Sequence, residues 1–540
     1  MKYISVAVSA VIALTACQST TDNASTANNT NQELDIASPS DINQALLKDE
    51  TIDVIHPVAD VEFSIPHDNV NVDYDAWRRI RDGLSFDVPQ NRRVIAQRNW
   101  YAKHPSYLDR VAKRAEPFMF YILEELEAND MPLEIALLPI VESAFDPFAY
   151  SHGRASGMWQ FVPATGERFG MKQNWWYDGR RDVIASTEGA IQYLKRLHKY
   201  FDGDWMLALA AYNSGEGRVM RAVKNNARKG KPTDFWSLDL PRETRAYVPK
   251  LLALADIVKR PADFDLTLYA IENEAVISKV DTGSQIDLAK AAQLADLTLA
   301  ELQRLNPGFN RWATDPDGPH YLLLPNDRIE RFKTGLDKLE PKDRLAWQRY
   351  KIKSGDTLGT IAQKFNTRVS LIQEINGISG HQIRAGKHLM IPVAARSADS
   401  YTFSQEQRLV KTQNRSRNGY KSTHIVKSGD NFWDISRKYK VNHRSLAKWN
   451  GMAPTDPLQI GQKLVVWQEN PSTAKSHQPV ENAVMRNIMY KVRRGDSLAR
   501  IADKFNVSIK DIERWNNLNR KTYLQPGQML KLSVDVTNNI

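Results

Sequence analysis

The sequence predicts a multidomain chain: an all-α domain followed by small α+β modules of βααβ order on flexible linkers. Two observations carry this. From Asp73 to Asp263 the apolar residues recur at helical spacing, segment after segment. Beyond residue 349 one pattern appears three times, separated by polar stretches. At 540 residues, with 42% hydrophobic and 25% charged, the chain is long enough for several domains.

The first domain is expected over 67–264. Trp77, Ile80, Arg81 and Leu84 fall at helical spacing, as do Leu108, Val111, Ala112 and Ala115. Phe118 to Leu126 continues an aromatic-rich helix. The next helix is expected to start near Pro132, since proline suits a first-turn position, and Pro139 should kink it or interrupt its ladder. Its segment from Leu133 to Val141 is almost wholly apolar and ends on Glu142-Ser143. A helix from Asp182 to His198 turns Ile184, Ile191, Leu194 and Leu197 inward. Asp204 can cap a short apolar helix, Trp205 to Tyr212, that stops at the glycine-flanked loop 213–217. Glu243 to Val258 forms the last helix, with Pro249 as an internal kink.

The repeats are expected over 349–392, 422–467 and 488–533. They open on Gly355-Asp356, Gly429-Asp430 and Gly495-Asp496 and continue with i, i+3, i+4, i+7 apolar faces such as Leu358-Ile361-Ala362-Phe365. Each reaches an asparagine at one fixed distance from the glycine: Asn376, Asn450 and Asn516. A residue tolerant of left-handed backbone is useful at such a helix end. These units resemble LysM modules, which implies binding of glycans containing N-acetylglucosamine. Residues 265–346, with Val280-Asp281-Thr282-Gly283 and Leu305-Asn306, look like a degenerate LysM-like copy or a linking region. The joins 393–421 and 468–487 are rich in Ser, Asn, Gln, Lys and Arg and are expected to be flexible, so that the modules hang as beads on a string.

At the other end, Met1-Lys2 precedes an apolar run too short to span a bilayer as a mature helix. The run ends in Leu14-Thr15-Ala16-Cys17, which resembles a bacterial lipobox. Residues 1–17 would then be a lipoprotein signal peptide with Cys17 lipidated, and the polar stretch 18–66 a disordered tether. With Gln18 after the cysteine, the resemblance implies a lipid-anchored protein of the outer membrane on its periplasmic face. Cys17 is the one cysteine, which excludes an internal disulfide or a cysteine-cluster metal site. The formal net charge of +10 suggests an anionic partner. Without an arginine-rich arm or an aromatic RNA-binding motif, nucleic acid is not favoured over a membrane surface or a cell-wall polymer.

Glu142 is the candidate for chemistry. A carboxylate at the end of an apolar helix contributes little to solubility, and desolvation should raise its pKa. Glycosidic cleavage ordinarily uses two carboxylates. Asp146, Asp178, Asp182, Glu216 and Glu243 are the other acids near the motifs, and none comes from so apolar a setting. The loop 215–220 lacks the last glycine of a dinucleotide-binding pattern, and the histidines lack His-Glu-x-x-His spacing, so no cofactor or catalytic metal is expected.

The order Glu142-Ser143, Gly157-Met158-Trp159-Gln160-Phe161, Ala211-Tyr212-Asn213-Ser214-Gly215-Glu216 and Glu243-Thr244-Arg245-Ala246-Tyr247 resembles the soluble-lytic-transglycosylase-type domain, whose fold is lysozyme-like. Many relatives carry methionine where Trp159 stands. Together with the lipobox and the LysM repeats, the whole chain looks like the membrane-bound lytic murein transglycosylases of the D type. The resemblance implies cleavage of the β-1,4 bond between N-acetylmuramic acid and N-acetylglucosamine in peptidoglycan, leaving 1,6-anhydro ends. Glu142 would be the sole acid and base, and the muramic acid 6-hydroxyl the nucleophile. Ser143, Met158, Gln160, Phe161, Tyr212, Asn213 and Tyr247 would bind the sugar, orient the glutamate or raise its pKa. Trp175 and Trp176 are balanced between core packing and sugar stacking. A goose-type lysozyme-like hydrolase and a non-catalytic wall-binding lipoprotein are the rival readings.

Overall fold

The computed structural model describes residues 74–365, 367–468 and most of 485–535. The lipobox, Cys17, the tether 18–66, Gly495 and most of the join 468–487 lie outside the described residues.

The first domain is helical, with only isolated bridges such as Tyr150–Ser156 outside the helices. Its helices begin where short polar side chains can satisfy unpaired amides. Asp75, Asn91, Asp182 and Asp204 each accept from backbone amides of the first turn of their helices. The Arg242–Lys259 helix crosses the middle of the core, burying Tyr247, Val248, Leu251, Leu252 and Leu254. It packs against the Arg92–Ala102 and Trp205–Ser214 helices.

The segment before Glu142 departs from the expected kinked helix. Leu133–Leu137 is one 3-10 turn, and a separate α-helix, Leu138–Ser143, starts with Pro139 in its first turn. The missing N–H of Pro139 costs nothing there, because first-turn amides have no partner within the helix. Buried Glu134 fastens the 3-10 turn by accepting the amides of Ser85 at 2.7 Å and Phe86 at 2.6 Å.

Three βααβ units follow, and then a fourth unit of which a strand pair and the helix Ile509–Asn516 are described. Each has one antiparallel strand pair: Ile277–Asp281 with Tyr321–Pro325, Ala346–Lys351 with His388–Val393, Tyr420–Ile425 with Lys463–Gln468, and Met485–Lys491 with Met529–Asp535. The signature asparagine does not supply left-handed backbone. Asn376 and Asn450 have φ of -100° and -108°, and the positive φ falls one residue later, at Gly377 and Gly451. The asparagine side chain is instead a staple. Asn450 donates to the carbonyls of Leu446 and Val465 at 2.8 Å each and accepts the Val465 amide at 2.7 Å. Asn376 and Asn516 repeat this arrangement in their own units, and Asn306 repeats it in the degenerate one. At about 1 kcal/mol per hydrogen bond, the staple ties second helix to closing strand in a unit too small for a large core. The signature aspartates act likewise. Asp356, Asp430 and Asp496 each accept the backbone amide three residues upstream, closing the Gly-Asp turn.

The join 393–421 contains a helix and packs on its neighbours, so the first modules do not hang as separate beads. Ser404 caps a helix, Gln405–Asn414, and Tyr401, Phe403 and Arg408 are buried. The Phe403 ring stacks on Phe148 of the first domain at 5.1 Å, and the Tyr401 hydroxyl donates to both oxygens of Asp287 at 3.0 Å. Polar composition concealed two aromatic anchors in a stretch that otherwise reads as linker.

Candidate active site

Glu142 sits at the foot of a cleft of roughly 1100 Å³. Three pieces of sequence put it there. The Leu138–Ser143 helix ends on it, because Ala144 and Phe145 turn left-handed at φ 53° and 56°. The Gly157–Phe161 loop lies alongside. The Arg242–Lys259 helix passes beneath, and its Tyr247 hydroxyl donates to Glu142 Oε1.

Glu142 is 6% exposed, and burial pushes its carboxyl up to about 8. The Tyr247 hydrogen bond opposes that rise, nearby Glu243 adds to it, and Lys250 opposes it. A carboxyl in this state is protonated at neutral pH and can donate to a bound oxygen.

The predicted site residues divide by what they touch. Gln160, Phe161, Tyr212 and Asn213 line the cleft with Glu142. The Tyr212 hydroxyl donates to the Trp159 carbonyl at 2.8 Å, and its ring meets Phe161 edge-on at 6.0 Å. Thr244 Oγ1 donates to Asn213 Oδ1 at 2.8 Å, fixing that amide. Gln160 has φ 51° and donates through Nε2 to the Gly157 carbonyl at 2.7 Å. Its Oε1 is buried and has no hydrogen-bond partner among the described residues.

Ser143 and Met158 do not line the cleft. Ser143 Oγ donates to the Met158 carbonyl at 2.9 Å, which joins the glutamate helix to the loop, and Met158 is fully buried. Tyr247 also lies beneath the surface and touches the glutamate itself. Trp159 fills the core and donates to Thr187 Oγ1 at 3.0 Å. Trp175 and Trp176 lie away from the cleft, against Arg311 and Trp312 of the degenerate unit, so packing accounts for both.

The other acids are held elsewhere, with one exception. Asp178 pairs with Arg180 at 2.8 Å, Asp182 caps its helix, and Glu216 pairs with Arg196 at 2.9 Å. Asp146 accepts the Phe148 amide at 2.9 Å. Glu243 does line the cleft, from an exposed position. Sequence reasoning missed Tyr193, Arg242 and Lys250, and it missed Asn442, Arg444 and Ser445 of the second LysM module. For Lys250 a signal existed: it stands three residues beyond Tyr247, on the same helical face.

Comparison with known proteins assigns the folded parts to known domain families. Residues 120–235 match the Transglycosylase SLT domain, and 276–341 match the LysM-like domain of lytic transglycosylase MltD. The LysM domain matches 350–392, 424–467 and 490–533. Membrane-bound lytic murein transglycosylase D of Escherichia coli K12 is 38% identical over 408 residues, covering 74% of this chain and 86% of that one. An autolysin of Enterococcus faecalis is 31% identical over 172 residues, 31% of this chain and 22% of its own. Among solved structures, an inactive mutant of the lytic transglycosylase Slt from Pseudomonas aeruginosa matches with a TM-score of 0.23. It is 22% identical, covering 35% of this chain and 32% of that one. With the E. coli protein alike over most of both lengths, and each folded part matching its own domain model, the chain belongs to the membrane-bound lytic murein transglycosylase D family.

Proposed function

We propose that the chain is a peptidoglycan lytic transglycosylase in which Glu142 serves alone as acid and then base. A single observation carries this reading: one carboxyl in a cleft large enough for sugars is buried, and burial pushes it up to about 8. In the first step Glu142 gives its proton to the glycosidic oxygen as the bond from that oxygen to muramic acid C1 breaks. In the second step the muramic acid 6-hydroxyl oxygen bonds to C1 and its proton passes to the Glu142 carboxylate, which restores the acid. The product is a 1,6-anhydro ring, and no water is consumed. An internal nucleophile has a high effective molarity, so no second carboxylate is needed to activate it. Tyr247 holds the glutamate through both steps and stabilises its charged form. Gln160, Tyr212 and Asn213 orient the sugar by neutral hydrogen bonds, and the LysM modules raise the local concentration of glycan.

Mass spectrometry of digested sacculi tests the reaction. Products should carry the anhydro mass, and Glu142→Gln should lose turnover, by at least about a hundredfold, while still binding sacculi. Products with reducing muramic acid ends would establish the hydrolase instead, and undiminished turnover by Glu142→Gln would remove the glutamate from the chemistry.

We also propose a lipid anchor at Cys17 in the outer membrane, with the enzyme on the periplasmic face. The lipobox and Gln18 support this, as does the membrane-bound description of the E. coli relative. No helix among the described residues is long and apolar enough to cross a membrane. Cys17→Ala should release the protein from the membrane fraction, and density-gradient separation of the two membranes reads which one holds the wild type.

A further inference from the structure

The Glu142 cleft is not walled by the first domain alone. Asn442, which caps the His443–Trp449 helix of the second LysM module, and Arg444 and Ser445 in the first turn of that helix line it as well. Two sets of contacts hold the module there. Asp456 pairs with Arg154 at 2.7 Å and accepts the Tyr150 hydroxyl at 3.0 Å, its carboxylate only 12% exposed. Arg154 and Tyr150 belong to the loop that leads into Gly157–Phe161. Behind them, the Gln405–Asn414 helix reaches both sides. Arg408 is buried with its guanidinium 5.1 Å from the Phe148 ring, and Gln413 Nε2 donates to Asn450 Oδ1 of the module at 2.9 Å.

The charge on that wall has a counterpart in the substrate. A chain of N-acetylated sugars is neutral apart from what muramic acid carries, and its lactyl-linked peptide stem ends in carboxylates. Arginine is the side chain best shaped for a carboxylate, through paired N–H donors. Arg444 is exposed on the cleft side of the module. The matching position holds Ser370 in the first module and Lys510 in the third, so the LysM fold itself does not require an arginine there.

We propose that the second LysM module is the far wall of the catalytic cleft, and that its Arg444 is a specificity-determining residue for a carboxylate of the substrate's peptide stem. The proposal rests on the cleft being the glycan site. It gives this module a task distinct from general retention on the wall: a glycan strand seated at Glu142 offers its stems to Arg444.

The test uses the full chain and two polymers: glycan strands that keep their stems, and the same strands after an amidase has removed them. Arg444→Ala should raise KM on stem-bearing glycan about tenfold with little change in kcat, the pattern of lost ground-state binding. On stripped glycan the change in KM should be smaller than about threefold, since the stem carboxylates are gone and only the lactyl carboxylate that the amidase frees, held close to the sugar ring, remains. Arg444→Lys should keep most of the affinity and Arg444→Glu should lose more than alanine. Asp456→Ala, which removes one of the two sets of contacts and loosens the module, should shift selectivity in the same direction as Arg444→Ala. Equal KM shifts on the two polymers, or none on either, would overturn the proposal. So would an Asp456→Ala enzyme faster than wild type, because the module would then be a cover and not a wall. Failure of the Glu142 reading is separable: it appears as turnover by Glu142→Gln, whichever way the Arg444 variants behave.

Discussion

At the scale of single residues, the site turns on how its neighbours set one proton. Burial raises the Glu142 carboxyl, Tyr247 opposes the rise, Glu243 adds to it and Lys250 opposes it, and the balance lies at about 8. The sign for activity follows. The first step needs the protonated form, so turnover should fall as pH rises through about 8. Glu243→Gln removes a raising charge, so its alkaline limb should move to lower pH while turnover at about pH 6 stays near wild type. Tyr247→Phe removes the donor that stabilises the carboxylate, so its limb should move up and its kcat fall about tenfold or more. A pH–kcat series on the three enzymes checks all of this. If Glu243→Gln were as damaging as Glu142→Gln at every pH, Glu243 would be a second catalytic carboxylate, and the hydrolase reading would gain what it now lacks. The buried acid was legible in the sequence because an almost wholly apolar run, Leu133 to Val141, leads up to it. Its partners were less so. Tyr247 was placed correctly through a motif, but Ser143 and Met158 belong to the fold beneath the cleft, since small polar and apolar residues look alike whether they face a sugar or a carbonyl.

At the scale of elements, the loop beside Glu142 depends on backbone that only glycine tolerates. Gly157 has φ +84°, and a Cβ there would lie 1.8 Å from the Arg180 carbonyl oxygen. Backbone is what it would strike, so the loop must move as a body. Ser143 holds the Met158 carbonyl and Tyr212 the Trp159 carbonyl, so movement of the loop reaches the glutamate helix and the cleft-lining tyrosine together. Gly157→Ala should therefore lower kcat about a hundredfold, the order expected for a misplacement of about 1 Å, with Glu142 itself intact. A steady-state assay beside a thermal melt distinguishes this from simple unfolding: the melt should show a folded protein of lower stability. The helices themselves were legible from period and caps, with Asp182 and Asp204 at the ends they were assigned. What period could not give was the break before Glu142. A run that is apolar almost throughout carries no phase, so a 3-10 turn and a short α-helix look like one helix with a kink.

At the scale of the whole molecule, the catalytic domain and the first modules form a joined body where the sequence suggested a string. The degenerate unit is fastened by a Tyr321 hydroxyl donating to Asp182 at 2.9 Å and by Arg181 donating to the Pro307 carbonyl at 3.0 Å. The join 393–421 then runs back over the first domain. Composition hid this, because a helix lying half on another domain needs only one apolar stripe and can be polar elsewhere. The Ser404-x-x-Gln407 spacing, a helix-start signature, was the trace it left. Phe403 carries much of the attachment, being 4% exposed and stacked on Phe148. Truncating such a ring costs about 3–5 kcal/mol, more than the exposed face of the helix can replace. In Phe403→Ala the join should lift from the first domain, exposing buried Arg408 and loosening the backbone around Lys411, Arg415, Arg417 and Lys421, so that a protease that cuts after basic residues can act there. Limited trypsin digestion of wild type and variant, read by mass spectrometry, should show early cuts within 405–421 only in the variant. Because that helix also steadies the second LysM module, the same variant should lose preference for stem-bearing glycan while still cutting stripped strands. Equal protection of the join in both proteins would mean that Phe403 is a passenger, and that contacts such as the Asp456–Arg154 ion pair hold the module at the cleft without it.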